Sequence, residues 1–106
     1  MNGIRFEWDE EKNLSNQRKH GVNFRTASQV FRDPHRVLVA DRVVDGELRW
    51  QTTGIVKSAS GAIVLLLVAH TDREEDETGV DVEVVRIISA RKATSREKRI
   101  YADENG

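Results

Sequence analysis

Apolar positions along the chain fall into blocks whose period changes from helical to alternating, and those blocks predict the elements. Gly3 to Phe6 reads as a short extended start. Asp9 is an N-cap with Glu10 and Glu11 in the first turn, where carboxylates suit the positive end of the helix dipole. The first helix therefore runs from about Glu10 to His20 and closes on Gly21 as its C′ residue. Leu14 is its one clear apolar position, so packing through Trp8 and Leu14 is expected. Phe24, Ala27, Val30 and Phe31 recur at helical spacing after Asn23, a second N-cap, and Asp33-Pro34 ends that stripe. A turn at Gly21-Val22 would join the two helices into a hairpin.

The period then becomes two. Val37 to Val44 is a β-branched run ending in Asp45-Gly46, a two-residue hairpin signal. From Glu47 to Lys57, Leu48, Trp50, Thr52 and Val56 face one way and Glu47, Arg49, Gln51, Thr53 and Lys57 the other. Ser58 to Gly61 reads as a turn. Ala62 to Ala69 is apolar on both faces, as in a central covered strand. An acid-rich stretch after His70-Thr71 reads as a mobile loop, and Val82 to Ile88 as a last strand, interrupted by Arg86. Thr94 and Glu97 form a capping box that starts a basic helix ending near Tyr101. The predicted fold class is α+β, an N-terminal strand and helical hairpin followed by a four-stranded antiparallel meander and a C-terminal helix, in one domain over residues 1–106.

Composition narrows the class. A chain of 106 residues with 38% hydrophobic and 33% charged positions is an ordinary globular one. Without cysteine there is no disulfide framework and no thiolate metal site. The start lacks a basic-then-apolar leader and no apolar run approaches membrane length, so the cytoplasm is expected and no membrane partner. The net charge of −1 conceals an asymmetry: Asp72 to Glu83 is strongly acidic, whereas Arg91 to Tyr101 is basic. If strand end, bend and helix start converge, Arg86, Arg91, Lys92, Arg96, Lys98 and Arg99 gather into a site for a polyanion; an acidic loop beside a basic helix also reads as self-neutralising.

His20, His35 and His70 are widely separated and no HExxH, serine elbow or glycine-rich phosphate loop is present, so neither metal nor cofactor is expected. What remains suits metal-free RNA cleavage, in which the substrate's own 2′-hydroxyl attacks and fixed guanidinium groups stabilise the charge that builds on phosphorus. Arg86 and Arg91 are the candidates for that charge, with Arg49 on the polar face of its strand. His70 is the proton-transfer candidate, and a satisfied structural histidine is its competing reading. Lys92, Arg96, Arg99 and Tyr101 are candidates for holding RNA, Tyr101 by stacking on a base. Lys19 has a structural reason to sit in its helix's last turn and is carried as an RNA-binding candidate beside it.

FEWDEEKNLSNQRKHGVNF, FRDP, GELRWQTTG and VRIISARKATSREKRIY, in that order over nearly the whole chain, together resemble the BrnT toxins of type II toxin–antitoxin modules. The resemblance implies a RelE-like fold and an endoribonuclease of the mRNA interferase type that blocks translation. It also implies a BrnA-like antitoxin with a ribbon-helix-helix part, through which alone operator DNA would be reached. The family's characteristic polar positions fall on Arg49, Trp50, His70, Thr71, Arg86, Arg91 and Lys92, with Lys19 and His20 in the KHGV segment. The alternative is a non-enzymatic docking module that binds a DNA-binding partner and acts only as a co-repressor.

Overall fold

The computed structural model describes residues 3–106. Its elements follow in the order β1 (Gly3–Glu7), α1 (Glu10–His20), α2 (Phe24–Ala27) running into a 3-10 helix (Ser28–Arg32), β2 (Val37–Val44), β3 (Glu47–Lys57), β4 (Ile63–Glu77), β5 (Val80–Lys92) and α3 (Ser95–Asn105). One sheet holds all five strands in the order β1-β5-β4-β3-β2. Strands β2 to β5 pair consecutively and antiparallel, and β1 joins β5 in parallel. The sheet is thus mixed, because the short N-terminal strand, to which the sequence assigns no partner, is added in parallel beside the consecutive antiparallel strands. A parallel partner needs a crossover, which here includes every element between β1 and β5, so no short-range signal announces it.

The caps are those the residues demand. Asp9 accepts from the Glu11 and Lys12 amides, Asn23 accepts from the Thr26 amide, and Thr94 with Glu97 forms the full capping box. Asp45 and Gly46 both have positive φ, 51° and 77°, the handedness a two-residue hairpin needs. The second helix is shorter than its apolar stripe predicts: α-helical bonding stops at Ala27 and the tighter 3-10 form carries Val30 and Phe31 inward. A Cβ on Gly54 would come within 3.0 Å of the Val30 Cβ and carbonyl, so β3 and the 3-10 helix meet at a distance only glycine allows.

The helices α1 and α2 and the 3-10 helix cover one face of the sheet. Val22, Phe24, Ala27 and Val30 pack there on Val56, Leu66, Val68, Val85, Ile87 and Ala90. Leu14 stays 47% exposed and does not anchor α1. The buried Asn16 does so, donating to the carbonyls of Val22 and Ala90 at 2.9 and 2.8 Å and accepting from the Ala90 amide at 3.1 Å. The expected acidic loop is strand: β4 continues to Glu77 and β5 begins at Val80, joined by a turn at Thr78-Gly79. Ion pairs between Arg5 of β1 and Glu75 and Glu77, and between Arg73 and Glu7 of β1, let this acidic stretch sit in a paired strand.

Candidate nucleic-acid interface

Alternation places Gln51, Thr53, Leu67, Ala69, Thr71, Arg86, Ser89 and Arg91 on the sheet face turned away from α1, the outer face. A register shift between Ala69 and His70 leaves Ile88 unpaired, and this extra residue returns both Arg86 and Arg91 to the same face. Rows across that face can be read from the pairing. Gln51, Ala69 and Ser89 form one row. Thr71, Arg86 and Glu7 lie in the next, and Arg49, one step beyond the Trp50–His70 pair, extends it. Arg49 and Arg86 stand about 10 Å apart across β4, given the usual strand spacing of about 4.8 Å. The small side chains of Ala69 and Ser89 leave the floor beside them open.

Glu7 is the carboxylate beside Arg86, at 3.8 Å. Arg73 donates to both its oxygens at 2.5 and 3.0 Å, then to Glu75 at 2.9 Å; Arg5 bridges Glu75 and Glu77 at 2.7 Å each. The ladder is largely solvated, so it contributes little to stability. It does orient Glu7. The hydrogen bonds from Arg73 outweigh partial burial, and the charges of Arg73, Arg86 and Arg5 add to them, holding the Glu7 carboxyl below the usual carboxylate range.

Helix α3 crosses the other half of the outer face, held by polar contacts and burying none of its residues. Arg91 forms a two-pronged bond with Glu97 at 2.7 and 2.9 Å. Those bonds, helped by Thr94 and opposed by burial, pull the Glu97 carboxyl down to about 2. Tyr101 donates to Asp33 at 2.6 Å, and Asp33 also accepts from the Ile55 and His35 amides at 2.8 Å each. Burial and that hydrogen bond push the Tyr101 phenol up to about 12. Burial works against the Asp33 carboxylate, yet its three donors outweigh it and keep its pKa below the ordinary value.

The expected convergence of six cations therefore does not form. Arg49 and Arg86 share a row, whereas Arg91 lies about 13 Å further along the sheet, four residues at about 3.3 Å each, and is occupied by Glu97. Arg96 lines the groove between α3 and β2; Lys92 and Lys98 share a shallow cavity with Ile63 and Tyr101 at the end of β4. Arg99 stands about 200° around the helix from Tyr101 and faces solvent. Lys19 is exposed on α1, on the opposite side of the sheet.

His70 has no exposed surface and lies among the core side chains. Its Nδ1 donates to Asp72 at 2.8 Å, its Nε2 pairs with the Thr52 hydroxyl at 2.7 Å, and the ring edge meets Phe31 at a centroid distance of 4.9 Å. A substrate on the outer face does not reach it. Glu7 and Asp33 are absent from the sequence-derived set: Glu7 depends on the parallel pairing of β1, and Asp33 reads as a helix stop rather than as the acceptor for Tyr101.

Among the described residues no His, Asp and Glu group is placed to hold a metal ion, and no helix is long and apolar enough to cross a membrane. No curated protein matches the chain. Residues 8–97 match the family described as "Ribonuclease toxin, BrnT, of type II toxin-antitoxin system", a span that takes in Arg49, Thr71, Arg86 and the first turn of α3. The chain belongs to the BrnT toxins of type II toxin–antitoxin systems.

Proposed function

We propose that this toxin is a metal-independent endoribonuclease with a RelE-like fold, that it cleaves mRNA in the cytoplasm and so stops translation, and that a BrnA-like ribbon-helix-helix antitoxin neutralises it. The observation that carries the reading is the row Arg49, Thr71, Arg86 and Glu7 across an open sheet face. Two guanidinium groups about 10 Å apart at the backbone have side chains long enough to grip one phosphodiester between them. They hold the phosphorane-like transition state more tightly than the ground state because it carries more charge on its oxygens.

The 2′-oxygen attacks phosphorus as the bond to the 5′-oxygen breaks, leaving a 2′,3′-cyclic phosphate. Glu7, kept ionised by Arg73, accepts the proton of the 2′-hydroxyl, and water returns one to the departing 5′-oxygen. Arg96, further along the same side, holds a flanking phosphate, whereas Lys92 pairs with Leu66 and alternates toward the helix-covered face. The burial of His70 favours the non-enzymatic alternative to this extent, that it leaves the row without a histidine. The test is the purified toxin on single-stranded RNA: fragments ending in 2′,3′-cyclic phosphate, lost in Arg86→Ala and Arg49→Ala with unchanged melting, support the proposal. Intact RNA, with and without ribosomes, selects the co-repressor reading.

A further inference from the structure

The sheet ends in β2, whose outer edge is unpaired among the described residues. Leu38, Val39 and Val43 are 53%, 51% and 64% exposed on it. Free edges are ordinarily blunted by charge, proline or a covering element, because unpaired backbone invites another strand. Here the charged pair Asp41-Arg42 sits within the register shift, and Val37 to Ala40 run regularly and bare against Thr53 to Trp50. Alongside, on the outer face, a groove of about 340 Å³ opens between Val37, Val39 and Leu67 on its floor and Ile100 and Arg96 of α3.

We propose that this edge and groove are the docking site of the antitoxin, which adds an extended, acidic segment as a sixth strand beside Val37–Ala40. Alternate apolar side chains of that segment would enter the groove against Val39 and Ile100. Its acids would meet the cations at the rim. The inference rests on the reading that a protein antitoxin neutralises this toxin, and it names the surface and the chemistry of that contact.

Charge selects the occupant. Arg96 lines the groove, Arg36 directly precedes the edge segment and Arg49 lies on the neighbouring β3; none of the three is in an ion pair among the described residues, and Glu97, the acid lining the groove, is paired with Arg91. A second copy of this chain paired edge to edge would bring two such sets of cations to one seam, where like charges repel. An acidic strand meets them favourably. Seated beside β2 it would reach Arg96 across the groove, so docking would bar RNA from that cation.

The test uses the full toxin co-purified with the product of the adjacent reading frame. Amide exchange in Val37–Ala40 should slow at least about tenfold on complex formation, as ladder bonds protect backbone N–H groups. Val39→Lys should weaken the complex about a hundredfold or more while the free variant cleaves RNA at the unchanged rate. Unaltered exchange at β2 in the wild-type complex overturns the proposal, whether or not the variant folds. So does undiminished binding by a folded Val39→Lys, or a toxin homodimer that the substitution dissolves. If β2 is protected but the wild-type toxin leaves RNA intact, the docking surface stands and the ribonuclease reading falls.

Discussion

Arg49 and Arg86 come from strands that do not touch, with Thr71 of β4 between them. In the proposed reaction their value lies in being fixed by the sheet before substrate arrives, since donors that need no reorganisation act most strongly on a developing charge. Arg86→Ala should lower the cleavage rate about 10²- to 10³-fold, and Arg86→Lys should recover only part of it, because a lysine cannot span two phosphate oxygens. A single-turnover assay at saturating RNA checks this, with an unchanged melting curve as control. His70 behaves differently. With its ring buried between Thr52, Asp72 and Phe31, His70→Ala removes two hydrogen bonds and opens a cavity, for an expected loss of about 3 kcal/mol in urea unfolding. The cleavage rate per folded molecule should stay unchanged; a drop comparable to that of Arg86→Ala would place the imidazole in the chemistry.

Helix α3 is held by polar tethers, so its attachment should respond to pH. The Glu97 carboxyl lies at about 2 in the folded chain, below its ordinary 4.5. A lowered acid contributes stability that is present above the ordinary value and lost as pH falls from about 4.5 through 2. Wild type should therefore melt higher than Glu97→Gln near neutrality, and the gap should close over that acid window in thermal scans. Tyr101 has the opposite sense: raised to about 12, it stabilises fully below its ordinary 10.0 and loses that contribution as pH climbs toward 12. Tyr101→Phe should cost about 1–2 kcal/mol near neutrality and abolish the alkaline loss. The first helix has an analogous pin in Asn16, whose three backbone bonds tie α1 to β5. Asn16→Leu should destabilise by about 2–3 kcal/mol, since it strands the Ala90 amide and two carbonyls away from water.

At the scale of the molecule, the two sheet faces divide the labour: one is packed under helices, the other is open between the ion-pair ladder and α3. RNA on the open face would meet Arg96 but neither Arg99 nor Lys19. Removing one cation that neutralises a phosphate should flatten the dependence of log affinity on log salt by about 0.7 for a single strand. Arg96→Ala should show that decrease in fluorescence anisotropy with uncleavable RNA, and Arg99→Ala and Lys19→Ala should leave the slope unaltered. Equal slopes for all three would place the RNA elsewhere.

The sequence by itself determined what is local. The caps at Asp9, Asn23 and Thr94, the Asp45-Gly46 hairpin and the alternation that turns Arg49 and Gln51 away from Trp50 and Thr52 are written in spacings of a few residues, and each has its expected place. Tertiary structure decided everything that depends on which strands become neighbours. The parallel seat of β1 brings Glu7 to Arg86, the extra residue at Ile88 sets the face of Arg91, and partners on β1 draw the acids after His70 into a strand. The same non-local pairing put His70 under the sheet and Arg86 above it. A side chain's period tells which face it takes within its own strand, whereas register between distant strands tells what it faces there, and only the folded sheet contains that register.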